Sequence, residues 1–328
     1  MTASPSRLTA LILLVCAAAQ VFVAAAPADA PAHAALPPTQ APRLSGLGVQ
    51  VGNDTDVARA VPRLRELGVT WVRLWANVDW RAPAEPVSGV FDRARALHAA
   101  GFRVIVVLSA HLTDAAPPAY ADVKAWCDWA QTRPGLAEAV DVWEILNELN
   151  VIEDGRKKYW IGGPDDYVRE VLRAAWDSFA PRGELVLGGS FTAYQRDNRI
   201  DTSVTRAYLA AGYLNYCHYA GTHPYTRTAE EMRAHFAEVR ALYGAKPVII
   251  SEWNFKQQRD AAEWARMLDA VRPELAAQTE LLCFYRFLAT PLEGGWPGLC
   301  ANDETYTPVE PWFSLFRGWA RSAPPTAR

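Results

Sequence analysis

Short apolar runs alternate with longer amphipathic stretches from Leu44 almost to the carboxyl terminus, and this alternation sets the expected architecture. Short continuous apolar runs suit strands buried on both faces, whereas apolar positions three or four apart suit helices laid against them. The strand candidates are Leu47–Val51, Thr70–Trp75, Arg103–Leu108, Val140–Leu146, Leu185–Gly189, Cys217–Thr222, Pro247–Ser251 and Leu281–Phe287. Between them fall helix candidates at Asp56–Leu67, Asp92–Ala100, Val123–Thr132, Pro164–Phe179, near Thr202–Leu214, and at Ala229–Tyr243, Ala261–Val271 and Pro311–Arg321. Asp54 and Asp56 ahead of the first helix, Gly68 after it, and Pro164 at a first helical position are start and stop signals. Strand and helix in strict alternation predict an α/β fold: a single (β/α)8 TIM barrel over residues 44–324, with no second domain.

Composition permits this architecture. Of 328 residues, 50% are hydrophobic, enough for a full-sized core, and the net charge of -3 leaves no basic field for nucleic acid or a membrane surface. Arg7 precedes an apolar stretch from Leu8 to about Ala26, which reads as a targeting segment over residues 1–34, cleaved after Ala32-His33-Ala34. An Ala/Pro-rich spacer, residues 35–43, follows. The mature protein is therefore expected to be secreted or periplasmic; the alternative is an uncleaved membrane anchor, since the stretch approaches spanning length. Cys127, Cys217, Cys283 and Cys300 remain after cleavage. Export permits a Cys283–Cys300 disulfide, while buried free thiols are the simpler expectation. No CxxC occurs, and neither a metal nor a cofactor is expected.

Two glutamates stand where such a barrel places its chemistry, at the carboxyl ends of strands. Glu148 closes VDVWEILNELN on strand four, and Glu252 closes KPVIISEWN on strand seven. Strand parity places Ile250 and Val248 inward beneath Glu252, and Leu146 and Val142 inward beneath Glu148. Paired carboxylates suit cleavage of a glycosidic bond, because one group must be protonated for the leaving oxygen and the other ionised to attack the anomeric carbon. Either glutamate alone would suit a strand-end salt bridge. Their joint occurrence with THPY at the end of strand six favours a site.

WEILNELN, THPY and IISEWN, in this order on strands four, six and seven, resemble glycoside hydrolase clan A, the retaining β/α-barrel glycosidases. The resemblance implies that Glu148 is the general acid/base and Glu252 the nucleophile. It further implies that Asn147 bonds the hydroxyl at sugar carbon two, that Tyr225 holds the nucleophile and His223 the sugar, and that Arg73 in WVRLW keeps the nucleophile ionised. Two departures stand out: Leu149 occupies the place of the clan's usual proline after the acid/base, and LLCFYRF lacks the usual strand-eight tryptophan. Tyr285 or Phe287 would take that tryptophan's place. RLW, DW, the Gly-Val-Phe-Asp segment, VLGG and SEWNF look closest to family 39, with family 5 cellulase-like enzymes as second choice.

An arginine inside an apolar strand also demands a carboxylate nearby, and both Glu144 and Glu252 qualify as partners of Arg73. His111, ending strand three, is a further candidate for the sugar site. Among the 13 tryptophans, Trp75, Trp80, Trp160, Trp253 and Trp296 fall in or near loops of the catalytic face and are the candidates for stacking on sugar rings. Other barrel chemistries fit less well. A Schiff base needs a lysine on the catalytic face, yet Lys246 precedes strand seven at the opposite end and Lys124 is helical, and the first strand, LGVQV, offers no metal ligands. The expected partner is an oligo- or polysaccharide. The alternative from another class is a non-catalytic carbohydrate-binding protein on a glycosidase-like barrel.

Overall fold

The computed structural model describes residues 41–110, 116–153, 156–157, 160–193, 195–196, 199–200, 202–254, 260–289 and 298–322. The expected targeting segment, the spacer up to residue 40, His111 and Trp296 lie outside the described residues. Eight strands form the barrel: β1 (Leu47–Gln50), β2 (Trp71–Asn77), β3 (Arg103–Ser109), β4 (Val142–Ile145), β5 (Leu185–Gly188), β6 (Ala220–His223), β7 (Val248–Trp253) and β8 (Leu281–Phe284). They pair in parallel in the order β5-β4-β3-β2-β1-β8-β7-β6. The ring closes between β5 and β6, where Leu187 bridges Tyr219 and the Gly188 N–H donates to the Tyr219 carbonyl at 3.0 Å. A short continuation of β5, Phe191–Thr192, pairs with Thr222 and His223.

The helices follow their strands: α1 (Val57–Leu67), α2 (Val90–Ala99), α3 (Tyr120–Gln131), α4, α5 (Ser203–Ala210), α6 (Ala229–Tyr243), α7 (Ala261–Ala276) and α8 (Trp312–Ser322). Of these, α4 is a composite of Pro164–Asp166, a π-helical Tyr167–Leu172 and Arg173–Phe179. Local chemistry fixes their ends. The Asp56 side chain accepts from the Arg59 N–H at the start of α1, and Gly68 takes a left-handed φ of 75° at its end. Thr228 and Glu231 form a capping box on α6. Helix α7 outruns its expected end at Val271 despite Pro273, because the fully buried Leu275 anchors the extra turn.

Two apolar layers result. Trp71, Ile105, Val142, Leu187, Tyr219, Ile249, Leu281 and Cys283 fill the barrel floor, whereas Val72, Val106, Trp143, Ile250 and their like pack against the helices. This corrects the parity of strand seven. Ile249 and Ser251 face inward, Val248 and Ile250 face the helices, and a register shift between Ile250 and Trp253 brings Glu252 to the mouth. Strand four also departs from simple alternation: Val142 points in as expected, but Leu146 has φ 66° and joins the helix-side layer. Cys127, Cys217, Cys283 and Cys300 are all buried free thiols, so the Cys283–Cys300 bridge does not form.

One buried histidine makes the stability pH-dependent. His235 of α6 faces β6, its Nε2 3.2 Å from the Thr222 hydroxyl, and burial lowers its pKa to about 4, outweighing the opposing pull of Glu238. Between pH 4 and the ordinary value of 6.5 the unfolded chain binds more protons, so stability falls as pH drops through that window. The expected loss is about 3 kcal/mol. Urea midpoints for the native protein and His235→Gln at both ends of the window check this; equal slopes in the two proteins would count against it.

Candidate active site

Directly above the apolar floor lies a buried polar layer, two residues further along several of the same strands: Arg73 follows Trp71, Glu144 follows Val142, and Ser251 follows Ile249. Arg73 is its centre. Its Nε donates to Glu144 Oε2 at 2.7 Å, and its Nη2 donates to Glu144 Oε1 at 3.1 Å and to Asn147 Oδ1 at 2.9 Å. Its Nη1 donates to Gln50 Oε1 and to Glu252 Oε1. Both carboxylates expected as alternative partners are thus bound at once. Burial opposes the charge on Arg73, but Glu144 and Glu252 outweigh it and carry the guanidinium's pKa well above the ordinary value.

Glu252 is held from three sides. Besides Arg73, the Tyr225 hydroxyl donates to its Oε2 at 2.6 Å, and His223 Nδ1 lies 3.7 Å from the same oxygen. Burial alone would push this carboxyl up; His223, Arg73 and the Tyr225 hydroxyl reverse that and hold it below the usual carboxylate value. The Tyr225 phenol moves the other way, raised well above its ordinary value by burial and by Glu252.

Glu148 is placed by backbone rather than by strand. Its φ of 34°, two residues after Leu146, is a conformation that side-chain-bearing residues rarely adopt, and it turns the carboxyl over the mouth. There its Oε1 sits 3.1 Å from His223 Nδ1. One oxygen of Glu148, one of Glu252 and a ring nitrogen of His223 all lie within 4.8 Å of one another. The Glu148 side chain is 14% exposed and that of Glu252 6%, so the former is the more open to a group entering from solvent. A cation could geometrically join the three, but Arg73 and Tyr225 already balance Glu252.

Three expected aromatics are placed elsewhere. Trp253 is fully buried against Phe284 and Trp319, because the register shift that brings Glu252 inward sends the next residue toward the helices. Trp80 packs edge-on against Trp126 of α3 with ring centroids 5.4 Å apart, and Trp160 is buried against Tyr167. Two aromatics do reach the mouth. Trp75, partly exposed, lies 5.9 Å from the Arg73 guanidinium and donates from its indole to Asn77. Tyr285, also partly exposed, meets Tyr225 edge-on at 6.0 Å, whereas Phe287 is buried against Tyr306.

Gln50, Ser190 and Ser251 were not among the expected site residues. Gln50 is a polar residue in an otherwise apolar first strand, which was its only signal. Ser190 and Ser251 each donate to Glu144 Oε1 at 2.9 Å, and Ser251 Oγ lies 2.9 Å from His223 Nε2. Gly221 of β6 makes room for Ser190: a Cβ there would stand 2.2 Å from Ser190 Oγ.

Fold and site define a closed (β/α)8 barrel with two convergent carboxylates at the carboxyl ends of its fourth and seventh strands. No family model matches the chain, and no curated protein does. Among solved structures it is similar to a GH128 (subgroup II) endo-beta-1,3-glucanase from Sorangium cellulosum, with 14% identity and a TM-score of 0.55 over 87% of this chain and 98% of that one. It is also similar to a glycoside hydrolase family 30 subfamily 8 xylanase from Clostridium acetobutylicum, with 11% identity and a TM-score of 0.58 over 85% and 72%. A third is an endo-1,4-beta-D-mannanase from Thermotoga petrophila RKU-1, with 12% identity and a TM-score of 0.53 over 85% and 99%. At such identities the shared property is the barrel fold.

Proposed function

We propose that the protein is a retaining β-glycosidase acting on an oligo- or polysaccharide. The observation that carries this reading is the carboxylate pair: an oxygen of Glu148 and one of Glu252 lie within 4.8 Å of each other, the latter buried and held ionised and the former more open to solvent, the division of roles that double displacement needs. Glu252, ionised and buried, attacks the anomeric carbon while Glu148 gives its proton to the departing glycosidic oxygen. The C–O bond to the leaving group breaks and a glycosyl ester forms on Glu252. Glu148 then takes a proton from the water that displaces the ester, which restores both groups. Asn147 is placed beside this centre by Arg73, and Trp75 and Tyr285 supply apolar faces at the mouth.

The similar solved structures include enzymes described as acting on β-1,3-glucan, xylan and mannan, which supports a carbohydrate substrate and leaves its identity to experiment. Family 39 is the placement that the RLW and SEWNF segments favour. Export to the periplasm or medium, suggested by the apolar stretch after Arg7, belongs to the same proposal. The test is incubation with a panel of activated fluoro-sugars followed by intact mass and peptide mapping. A covalent adduct on Glu252 is expected. Adducts on another residue would reassign the nucleophile, and binding of oligosaccharides without any adduct or hydrolysis would favour a carbohydrate-binding protein.

A further inference from the structure

Beneath the carboxylate pair, a chain of buried hydroxyls connects Glu144 to Glu148 through His223. Glu144 is fully buried, and its Oε1 receives both Ser190 and Ser251 at 2.9 Å. A serine hydroxyl has one proton to give. Ser251 has three acceptors within reach, the Glu144 carboxylate, Ser190 Oγ at 2.9 Å and His223 Nε2, and a hydrogen bond to an ionised acceptor is about twice as strong as one to a neutral acceptor. Ser251 therefore gives its proton to Glu144 and presents a lone pair to His223, whose Nε2 must carry hydrogen. The other ring nitrogen, Nδ1, is left facing Glu148 Oε1 at 3.1 Å.

That contact makes a bond only if one proton lies between the two atoms. Either neutral His223 accepts from the Glu148 hydroxyl, or imidazolium donates to the Glu148 carboxylate. We propose that Ser251 is a positioning residue that locks the tautomer of His223, so that His223 and Glu148 hold a single shared proton. This rests on the acid/base role of Glu148 proposed above and specifies how that role is supported. When Glu148 gives its proton to the leaving oxygen, the lone pair of neutral His223 Nδ1 opposes the new carboxylate, and the pair is ready to take a proton from the incoming water. Of the other groups facing His223, Glu144 lies 4.0 Å from Nε2 and stays paired with Arg73, whereas Glu252, 3.7 Å from Nδ1 and bound by Arg73 and Tyr225, loses its charge when the glycosyl ester forms, which eases the new charge on Glu148.

The test is nitrogen-15 NMR of histidine-labelled protein, with the His223 signals identified by their loss in His223→Gln. In the native protein Nε2 is expected to carry hydrogen throughout the range from about pH 5 to about pH 8. Ser251→Ala should admit the opposite tautomer, and Ser251→Thr, which keeps the hydroxyl, should restore the native pattern. Ser190→Ala, which removes the neighbouring hydroxyl but not the one bonded to His223, should leave the tautomer alone. On any activated glycoside that the native enzyme turns over, Ser251→Ala should lower kcat by up to about a hundredfold with KM little changed and move the alkaline limb of the pH profile. A native His223 with hydrogen on Nδ1 and none on Nε2, or a Ser251→Ala protein with the native tautomer, would overturn the proposal. A tautomer switch in a protein that cleaves no sugar would uphold the relay while refuting the glycosidase reading.

Discussion

Glu252→Ala is expected to cut turnover of an activated aryl glycoside by a factor on the order of 10⁵ while leaving the fold intact. The loss follows from removal of the atom that bonds the anomeric carbon. The fold survives because Arg73 keeps its paired contact with Glu144 and its bonds to Gln50 and Asn147, so the buried layer still holds one cation against one carboxylate. Azide, small enough to enter the vacated space, should restore part of the activity and yield a glycosyl azide of inverted configuration. Circular dichroism and steady-state rates with and without azide check both halves; an unchanged rate in the variant would end the assignment of Glu252.

Arg73→Ala makes the opposite division between fold and chemistry. Here two buried carboxylates, Glu144 and Glu252, lose their common cation, and removing one partner of a buried ion pair costs about 3 to 5 kcal/mol. The expected result is a large drop in urea midpoint, partly recovered by adding Glu144→Gln, which removes one of the stranded charges. Surviving protein should show the acidic limb of its activity displaced upward, because Arg73 is one of the groups holding Glu252 below its ordinary value. The sign is set by linkage: a carboxyl depressed in the folded state stabilises above its unfolded pKa and loses that contribution as pH falls through the folded one. A destabilisation under about 1 kcal/mol, the range of an exposed pair, would show that the network is not the buried one described.

These two variants separate roles that one guanidinium joins. A lysine at position 73 would keep the charge but not the fork that reaches Glu144, Asn147, Gln50 and Glu252 together. The arrangement also bears on why the site sits on strands. Gln50, Arg73, Glu144 and Ser251 come from four different strands, so the barrel's own hydrogen-bond ladders hold them in place.

Much of this was legible in the chain. Strand and helix order follow from period and run length, and Ala229–Tyr243 has the bounds that its apolar spacing predicts, because periodicity is a local property. Glu148 and Glu252 could be picked out because each ends an apolar run, and Arg73 because an arginine among aliphatic residues must find a carboxylate. What could not be read was any placement that depends on departures from regular geometry. A register shift at the end of β7 exchanged the faces of Glu252 and Trp253 relative to simple alternation, and positive φ values at Leu146 and Glu148 did the same work after β4. Closure of the ring brought together residues more than a hundred positions apart, Ser251 with Glu144 and Glu252 with Arg73, and only that convergence decided which polar residues share protons. Local sequence determines which segments are strands and which are helices, since those energies act between near neighbours; the partners of a buried charge are chosen by distance in three dimensions, which the whole barrel sets.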